Sequence, residues 1–298
     1  MMSQVNLDLF DLFPASFNEN IYRDNYNDLS GLNIEQLYGH WNAYGLEEGR
    51  ASSFIESRLH VLEIISRSNS VLEIGPFDNP FVERLRDRVR VINYADYCST
   101  EELLERARNI KGRNSQNVPE INFVVKSGLG TIKQEFHCVV SVQVLEHQPD
   151  LIQHLLDVSR IVSKGGVYIF IVPNKTCMFD HFIPESYITE VVAAYQEQRK
   201  KPSIRSVIEH RAFSRHNFIN CDNPFYHQTS ETRRLIENAV SEFKNNDYCD
   251  VHCWYFTHKS IRALLAGLIA MEYLPNKARF NSYYLNQYEE IAVVVSFS

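Results

Sequence analysis

The sequence predicts an α/β protein built on a doubly wound, mostly parallel sheet of seven strands with an antiparallel C-terminal hairpin. From residue 56 onward, short apolar segments with strand character alternate with segments whose apolar residues recur at helical spacing. Alternation with short connections implies right-handed crossovers between parallel strands. The last two strands are joined at Asn286 and Gln287. A connection this short requires an antiparallel pair, because a parallel pair needs a long crossover.

Length and composition predict a globular protein of enzyme size. The chain has 298 residues, and 44% of them are hydrophobic. The net charge of -7 argues against nucleic acid as a partner, since phosphate binding needs a basic face. No signal-peptide pattern and no apolar run of membrane-spanning length is seen. The six cysteines have no disulfide-framework spacing, so we expect a reduced, cytoplasmic protein.

Residues 1–55 differ in character from the rest and are expected to form a small N-terminal helical module. They are rich in Asn, Asp and aromatic residues, and 34–44 has helical spacing with Gly45 as a plausible C-cap. The pattern from Phe17 through His40 to Arg50 resembles a module found beside bacterial glycosyltransferases. This resemblance implies a glycosyltransferase partner. The alternative is a helical cap that packs on the main domain.

The main domain is predicted to span 56–298, with a helical lid inserted at 174–250. Ser99 and Glu102 have the spacing of a capping box, and Thr257 is expected to cap the last helix. A turn at 164–166 is expected to end the helix before the fifth strand. Strands are predicted at 70–75, 90–95, 121–125, 138–144, 167–172, 272–283 and 288–297. Helices are predicted at 57–66, 80–88, 99–109, 150–162, 186–199, 229–243 and 258–270.

The segment 71–80 is the candidate ligand-binding loop. A buried parallel strand ends there in Glu73 and Gly75, and a turn follows. An acidic side chain at this place suits a ligand that carries an amine or a ribose better than one that carries bare phosphate. Because Gly-x-Gly-x-x-Gly is absent, a dinucleotide enzyme is disfavoured.

Four motifs in register give the chain a resemblance to the class I S-adenosylmethionine-dependent methyltransferases, whose fold is Rossmann-like. They are Val-Leu-Glu-Ile-Gly at 71–75, the acidic Asp96 that ends strand two, the strand-four segment 139–147 ending in Leu-Glu-His, and the turn at 161–166. The resemblance implies that S-adenosylmethionine is the cofactor. It also implies that Asp96 accepts the two ribose hydroxyls, that Glu73 holds the amino-acid end, and that the loop at Ser127 and Gly128 contacts adenine. The full predicted cofactor set is Glu73, Gly75, Pro76, Asp78, Asn79, Asp96, Tyr97, Ser127, Gly128, Gln143, Val144 and Leu145.

Two of these acids have simpler interpretations, which stay open. Glu73 can brace its loop by accepting backbone N–H groups, and Asp96 can cap the following helix. Pro76 and Phe77 replace the second glycine of the usual loop, so the path of the loop must differ. In this respect the chain resembles a bacterial subset associated with glycosyltransferases and surface-polysaccharide synthesis.

The candidate catalytic residues are His147, Asp180 and His181. A hydroxyl acceptor needs a base, and neutral histidine is the usual one near neutral pH. Asp180 and His181 offer an orienting group and a base, whereas His147 also fits a role that braces its loop. The segment 250–256 is expected to return toward the sheet and bring His252 or Trp254 near the site.

No metal site is predicted. The insertion contains His210, His216, His227 and Cys249-x-x-His252-Cys253, but no second matching half for a structural zinc site. Interior histidines bonded to nearby backbone explain this pattern.

The resemblance implies an enzyme that methylates a sugar hydroxyl of a nucleotide-sugar or surface polysaccharide, so we expect its acceptor to be a small molecule or glycan. Two alternatives stay open. One is a non-catalytic partner or scaffold of glycosyltransferases. The other is a methyltransferase that acts on a lipid, a small metabolite or a protein amine.

Overall fold

The computed structural model describes residues 8–214, 223–226, 228–287 and 289–297. His216 and His227, weighed above as metal ligands, lie outside these ranges. Among the helices described, none combines the length and apolar character needed to cross a bilayer.

The strands form one sheet in the order β3-β2-β1-β4-β5-β7-β6. Pairs from β3 through β5 are parallel, and β7 lies antiparallel between β5 and β6. The predicted seven-stranded fold class is therefore confirmed. The strands are β1 (Ser70–Ile74), β2 (Val91–Asp96), β3 (Phe123–Val124), β4 (Phe136–Val142), β5 (Val162–Pro173), β6 (Arg279–Leu285) and β7 (Glu290–Ser296).

Helices cover both faces of this sheet. Buried side chains of α5, α6 and α9 form one core, and those of α3 form the other with residues 9–13. Val71 and Leu72, neighbours in β1, belong to different cores, as expected for a strand buried on both faces. Within the described ranges the α-helices are α1 (Glu19–Asn25), α2 (Ile34–His40), α3 (Arg58–Ile65), α4 (Thr100–Asn109), α5 (Leu151–Ile161), α6 (Ile188–Gln196), α7 (Ile204–Ala212), α8 (Ser230–Asn245) and α9 (His258–Ala270).

The predicted caps and the terminal turn are confirmed. Ser99 and Glu102 form both bonds of a capping box at the start of α4, and Thr257 caps α9. Asn286 and Gln287 have φ of 51° and 56° at the turn between β6 and β7. Asn tolerates this left-handed region better than most residues, which suits a tight hairpin connection.

Several predicted boundaries are wrong. The strand expected from residue 272 begins at Arg279, because Glu272 has φ of 60° and Tyr273 N–H donates to the carbonyl of Leu268, ending α9. The helix expected at 80–88 is a short 3₁₀ turn, Phe81–Leu85. β5 begins at Val162, so the glycine pair at 165–166 lies in the strand rather than in a turn before it. Helix α7, capped by Ser203, was not predicted.

Gly45 does not cap a helix. Helix α2 continues into a π-helical turn, Trp41–Gly45, and the left-handed glycine is Gly49, with φ of 69°. A Cβ on Gly45 would lie 2.1 Å from the hydroxyl oxygen of Tyr22. Gly45 is therefore needed for the close approach of Tyr22.

The N-terminal residues contact the sheet at two places. Leu9, Phe10 and Phe13 pack in the core that contains α3. A separate aromatic cluster contains Tyr22, Leu29, Leu37, Trp41 and Leu46. Its link to the sheet runs through Arg262 of α9, whose guanidinium lies 4.8 Å from the Trp41 ring and donates to the hydroxyl of Ser282 in β6 at 2.7 Å. The division into 1–55 and 56–298 stays a prediction.

Candidate active site

The strand order reverses between β1 and β4, so the loops that follow these strands meet at the carboxyl edge of the sheet. Ligands of open α/β sheets bind at such a switch point. Gly75 has φ of +69°, and a Cβ there would lie 2.6 Å from Cγ2 of Val144. The structure thus brings Gly75, in the loop after β1, against Val144, in the loop after β4, and both are predicted site residues. It also explains the glycine, because no larger residue fits in this conformation.

Phe77 is strained in the first of these loops. Its φ is 42°, which a bulky residue rarely adopts and which costs about 1–3 kcal/mol. The guanidinium groups of Arg113 and Arg106 lie 5.1 and 5.4 Å from its ring centre. Strain of this kind persists where surrounding contacts hold it, and it is common at functional sites.

The other residues of this loop hold its shape. Asp78 is buried, and its carboxylate accepts hydrogen bonds from Arg113 Nη1 at 3.2 Å and from Asn114 N at 2.8 Å. The carbonyl of Pro76, a buried residue, accepts the N–H of Asn79 at 3.1 Å, and Asn79 itself is exposed. Asp78 therefore ties the loop to residues 113–114.

Glu73 braces the loop. Its two carboxylate oxygens accept the N–H groups of Phe81 at 2.8 Å and Val82 at 3.0 Å. Burial raises the pKa of Glu73 to about 7, against the two backbone donors, which lower it. This is the simpler of the two interpretations considered above, whereas a direct contact with cofactor stays a prediction.

Asp96 ends β2 beside the same loop, since Gly75 N–H donates to the carbonyl of Ala95 at 2.8 Å. Its Oδ1 accepts the N–H of Cys98 at 2.9 Å, and burial raises the pKa of its carboxyl. Ser99, not Asp96, caps α4. Next to it, Tyr97 is exposed and stacks on Tyr248 at 5.3 Å.

The remaining predicted cofactor residues have different surroundings. Gly128 has φ of +94°, and Ser127 is exposed. Gln143 has φ of 57°, but its side-chain Nε2 donates to Glu290 at 2.9 Å and so reaches β7. Leu145 is buried in a hydrophobic core and offers the site no polar group.

A buried polar cluster lies directly after β4, on the side where the insertion returns. Glu146 is 0% exposed, and neither carboxylate oxygen has a hydrogen-bond partner in the described part of the chain. His147 Nδ1 lies 3.2 Å from Asp250 Oδ1. Burial lowers the pKa of His147, but the carboxylates of Asp250 and Glu146 outweigh it and raise that pKa above its ordinary value. The proximity of His147 keeps the pKa of Asp250 well below its usual range.

Asp180 joins this cluster, and His181 does not. Asp180 Oδ2 lies 2.5 Å from Nδ1 of His252, whose ring is 4.9 Å from that of His147. His181 Nδ1 instead contacts the carbonyl of Met178 at 3.0 Å. The predicted pairing of Asp180 with His181 is therefore wrong, because adjacent side chains here point in different directions.

The predicted return of segment 250–256 is confirmed. The carbonyl of Glu146 accepts the N–H groups of Cys253 at 2.6 Å and Trp254 at 3.2 Å. Trp254 Nε1 also donates to the carbonyl of Gln148 at 2.6 Å. These bonds fix His252 against the loop after β4.

Comparison with known proteins gives the family. A family model described as a methyltransferase domain matches residues 46–268, about three quarters of the chain. The chain belongs to this methyltransferase family. A search of curated protein sequences finds no match.

Solved structures similar to this methyltransferase have low identity. One is a DhpI–SAH complex, 11% identical, covering 93% of this chain and 93% of that chain with a TM-score of 0.41. The CurJ carbon methyltransferase is 9% identical, covering 81% and 54%, with a TM-score of 0.41. The N-methyltransferase NodS from Bradyrhizobium japonicum WM9 is 16% identical, covering 40% and 67%, with a TM-score of 0.30.

Family and sheet order together make this protein an S-adenosylmethionine-dependent methyltransferase. The residues at the switch point fit that cofactor. Asp96 is a carboxylate at a strand end, which suits two hydroxyl donors of a ribose. Gly75 and Gly128 both have positive φ, a backbone conformation that lets the two loops turn at the carboxyl edge of the sheet. The individual contacts stay predictions.

Sequence reasoning missed part of the methyltransferase's polar cluster. The sequence identifies Glu146 only as part of the Leu-Glu-His motif, and it does not indicate that Asp250 is a partner of His147. One signal was present, because Asp250 and His252 are two positions apart, the spacing that puts side chains on one face of an extended segment. Their partners, in the loop after β4 and in the insertion, are more than 70 residues away in sequence, so no local pattern could reveal them.

Proposed function

We propose that this methyltransferase transfers the methyl group to a hydroxyl of a sugar, in a nucleotide-sugar or a surface polysaccharide, and acts in the cytoplasm. The observation that carries this proposal is the polar cluster beside the switch point, in which two histidines each lie next to a carboxylate, Asp180 buried and Asp250 exposed. A hydroxyl is a poor nucleophile until its proton is removed. An acceptor site built from imidazoles and carboxylates suits that task.

The two sides of the switch point would bind different reactants. On one side, Asp96 and the loops with Gly75 and Gly128 would hold the cofactor, with Glu73 bracing the first loop. S-adenosylmethionine supplies an activated methyl group on its sulfonium. On the other side, the polar cluster would orient the acceptor hydroxyl and take up its proton. Helices of the 174–250 insertion would act as a lid that excludes water.

His252 replaces His181 in this proposal. His252 has a carboxylate partner in Asp180 and lies beside His147, whereas His181 contacts local backbone. His147 and Asp180 keep the roles predicted for them, as members of the cluster that prepares the acceptor.

The test is methyl transfer from S-adenosylmethionine to a panel of nucleotide-sugars, free glycans, lipids and protein amines. We expect a methyl ether on a sugar as product, identified by mass spectrometry and NMR. His252→Ala should reduce turnover strongly while the affinity for S-adenosylhomocysteine stays unchanged, and His181→Ala should leave turnover within about twofold. Transfer to nitrogen or carbon would refute the hydroxyl assignment.

The proposal includes a glycosyltransferase partner for the N-terminal residues. It is supported by the resemblance of residues 1–55 and by exposed apolar side chains in this part, at Ile34, Tyr38 and Tyr44. Co-purification with glycosyltransferases of the same polysaccharide pathway should be lost in the Tyr38→Ser/Tyr44→Ser variant. Equal recovery with both proteins would count against a partner at this surface.

A further inference from the structure

Two carboxylates in the polar cluster are buried with oxygens that have no hydrogen-bond donor. Glu146 is 0% exposed and Asp180 is 1% exposed. Both oxygens of Glu146 and Oδ1 of Asp180 have no hydrogen-bond donor in reach among the described residues. Burying an ionised carboxylate unpaired is unfavourable, so such groups are normally paired or coordinate metals.

The ligand atoms for a metal are close together. One carboxylate oxygen of Glu146 and one ring nitrogen each from His147 and His252 lie within 4.8 Å of one another. Bonds of about 2.0–2.2 Å to one ion place its ligand atoms about 3–3.5 Å apart. Side-chain rotations that shorten the longest of these separations by about 1–2 Å would meet this requirement.

Each histidine also has a carboxylate behind it. Asp250 Oδ1 lies 3.2 Å from His147 Nδ1, and Asp180 Oδ2 lies 2.5 Å from His252 Nδ1. Histidines that bind metals usually present their second nitrogen to such a group, which fixes the ring orientation and raises its basicity. At His252 this arrangement leaves Nε2 for the ion, and His147 offers one ring nitrogen within the same 4.8 Å.

Other buried histidines show how ordinary core histidines look in this chain. His154 Nε2 bonds the hydroxyl of Tyr168, and His258 Nε2 bonds the hydroxyl of Ser282. His210 Nδ1 accepts the backbone N–H of His252. None of these three bonds involves a carboxylate. His147 and His252 are therefore a different case from the backbone-bonded histidines expected from the sequence.

We propose that Glu146, His147 and His252 bind a divalent first-row transition-metal ion, with Asp180 and Asp250 orienting the histidines. Two imidazoles and one carboxylate favour an ion in the range from Mn²⁺ to Zn²⁺ over Mg²⁺ or Ca²⁺. Three protein ligands leave coordination positions open for an oxygen ligand. The metal site uses the same polar cluster as the proposed acceptor site, but binding of the ion does not require the proposed reaction. Only the identification of that oxygen with the acceptor hydroxyl rests on the proposed function.

Metal binding is tested on the chelator-treated full chain, without cofactor or acceptor, by equilibrium dialysis and by visible absorption during Co²⁺ titration. We expect one Co²⁺ per chain, with d–d bands and no sulfur-to-cobalt charge-transfer band. Glu146→Gln and His252→Ala should weaken binding by at least about 100-fold. Asp180→Asn should weaken it by about 10–100-fold, the range typical of groups that orient ligands.

The matched control is His154→Gln, a buried histidine outside the cluster, which should bind Co²⁺ as the unaltered chain does. Zn²⁺ should raise the melting temperature of the unaltered chain but not that of Glu146→Gln, because an ion stabilises only a protein that binds it. This readout also shows that the variant is folded. No binding, or equal affinity in Glu146→Gln and His252→Ala, would overturn the proposal. Because no methyl transfer is measured, failure of the proposed reaction would not affect the result.

Discussion

At the switch point the hydrogen of Gly75 occupies space that a methyl group could not. We expect Gly75→Ala to lower the free energy of unfolding by about 1–2 kcal/mol for the left-handed backbone, plus the cost of displacing Val144. Affinity for S-adenosylhomocysteine should fall as well. Urea unfolding and calorimetric titration measure both effects.

Gly112→Ala is the control for that substitution. Gly112 has φ of +88°, and nothing lies within 4 Å of the position of its Cβ, so only backbone strain is introduced. The difference between the two variants isolates the contact with Val144. If both lose the same stability and neither loses affinity, the contact between the two loops is unimportant.

Asp96 is the residue on which cofactor affinity should depend most directly. Asp96→Ala should weaken binding of S-adenosylhomocysteine at least about tenfold, since a hydrogen bond to a charged group contributes about 1.5–3 kcal/mol. Asp96→Asn keeps the shape of the side chain and one acceptor oxygen. Its affinity for S-adenosylhomocysteine should therefore lie between those of the unaltered protein and Asp96→Ala. Isothermal titration gives the affinities, and unchanged affinity in folded Asp96→Ala would remove it as the ribose ligand.

The sequence indicated which acidic residues are functional candidates better than it indicated their contacts. Glu73, Asp96 and Asp180 were recognised as functional candidates, but Glu73 bonds backbone and Asp180 pairs with His252 rather than His181. A carboxylate looks the same in sequence whether its partner is a ligand, a backbone amide or a distant side chain. Only the fold selects among them.

Two helices carry buried neutral histidines that should make the protein sensitive to acid. Burial lowers the pKa of His154 in α5 to about 4, where it faces the hydroxyl of Tyr168. Burial, then the charge of Arg262, lowers the pKa of His258 in α9 to about 3. Between these values and the ordinary 6.5, the unfolded chain takes up protons that the folded chain does not. Stability is therefore fully present above pH 6.5 and falls as the pH drops.

Between pH 7.5 and pH 5.0 we expect the free energy of unfolding to fall by about 2 kcal/mol for each of these histidines. His154→Leu and His258→Leu should each reduce that loss, as measured by urea unfolding at the two pH values. His60→Leu, at an exposed position, is the control and should leave it unchanged. A loss of the same size in all three variants would contradict the assignment.

Elements with strong local signals were predictable, and those set by tertiary contacts were not. The capping boxes of α4 and α9 and the continuous apolar β4 could be located from sequence alone. The start of β6 could not, because Tyr273 and Leu274, which have apolar side chains suited to a strand, instead donate to the carbonyl of Leu268 and close the end of α9. Helix α7 was missed because its buried positions pack on α8 within the insertion rather than on the sheet.

For the molecule as a whole, the question is whether the N-terminal residues unfold with the sheet. The chain has two tryptophans, Trp41 in the aromatic cluster of the N-terminal part and Trp254 beside β4. Ser16 Oγ accepts the N–H of Ser282 at 2.8 Å, and Tyr284 donates to the carbonyl of Leu46, so the two parts share bonds. We expect them to unfold together.

Single-tryptophan proteins test this expectation. Trp41→Phe and Trp254→Phe each leave one fluorescent reporter, and each reporter should show the same urea midpoint as circular dichroism measured on the same protein. A midpoint for Trp41 well below that of the circular dichroism would show that residues 1–55 form an independently unfolding module.

The bonds between the loop after β4 and the returning segment also have a consequence for synthesis. Trp254 Nε1 bonds the carbonyl of Gln148, 106 residues earlier. At about 5–20 residues per second, the ribosome makes the loop roughly 5–20 s before the segment that completes it. During that interval Glu146 has neither His252 nor the backbone donors of Cys253 and Trp254. A nascent chain that stalls before residue 250 therefore contains the parallel strands but not the complete polar cluster.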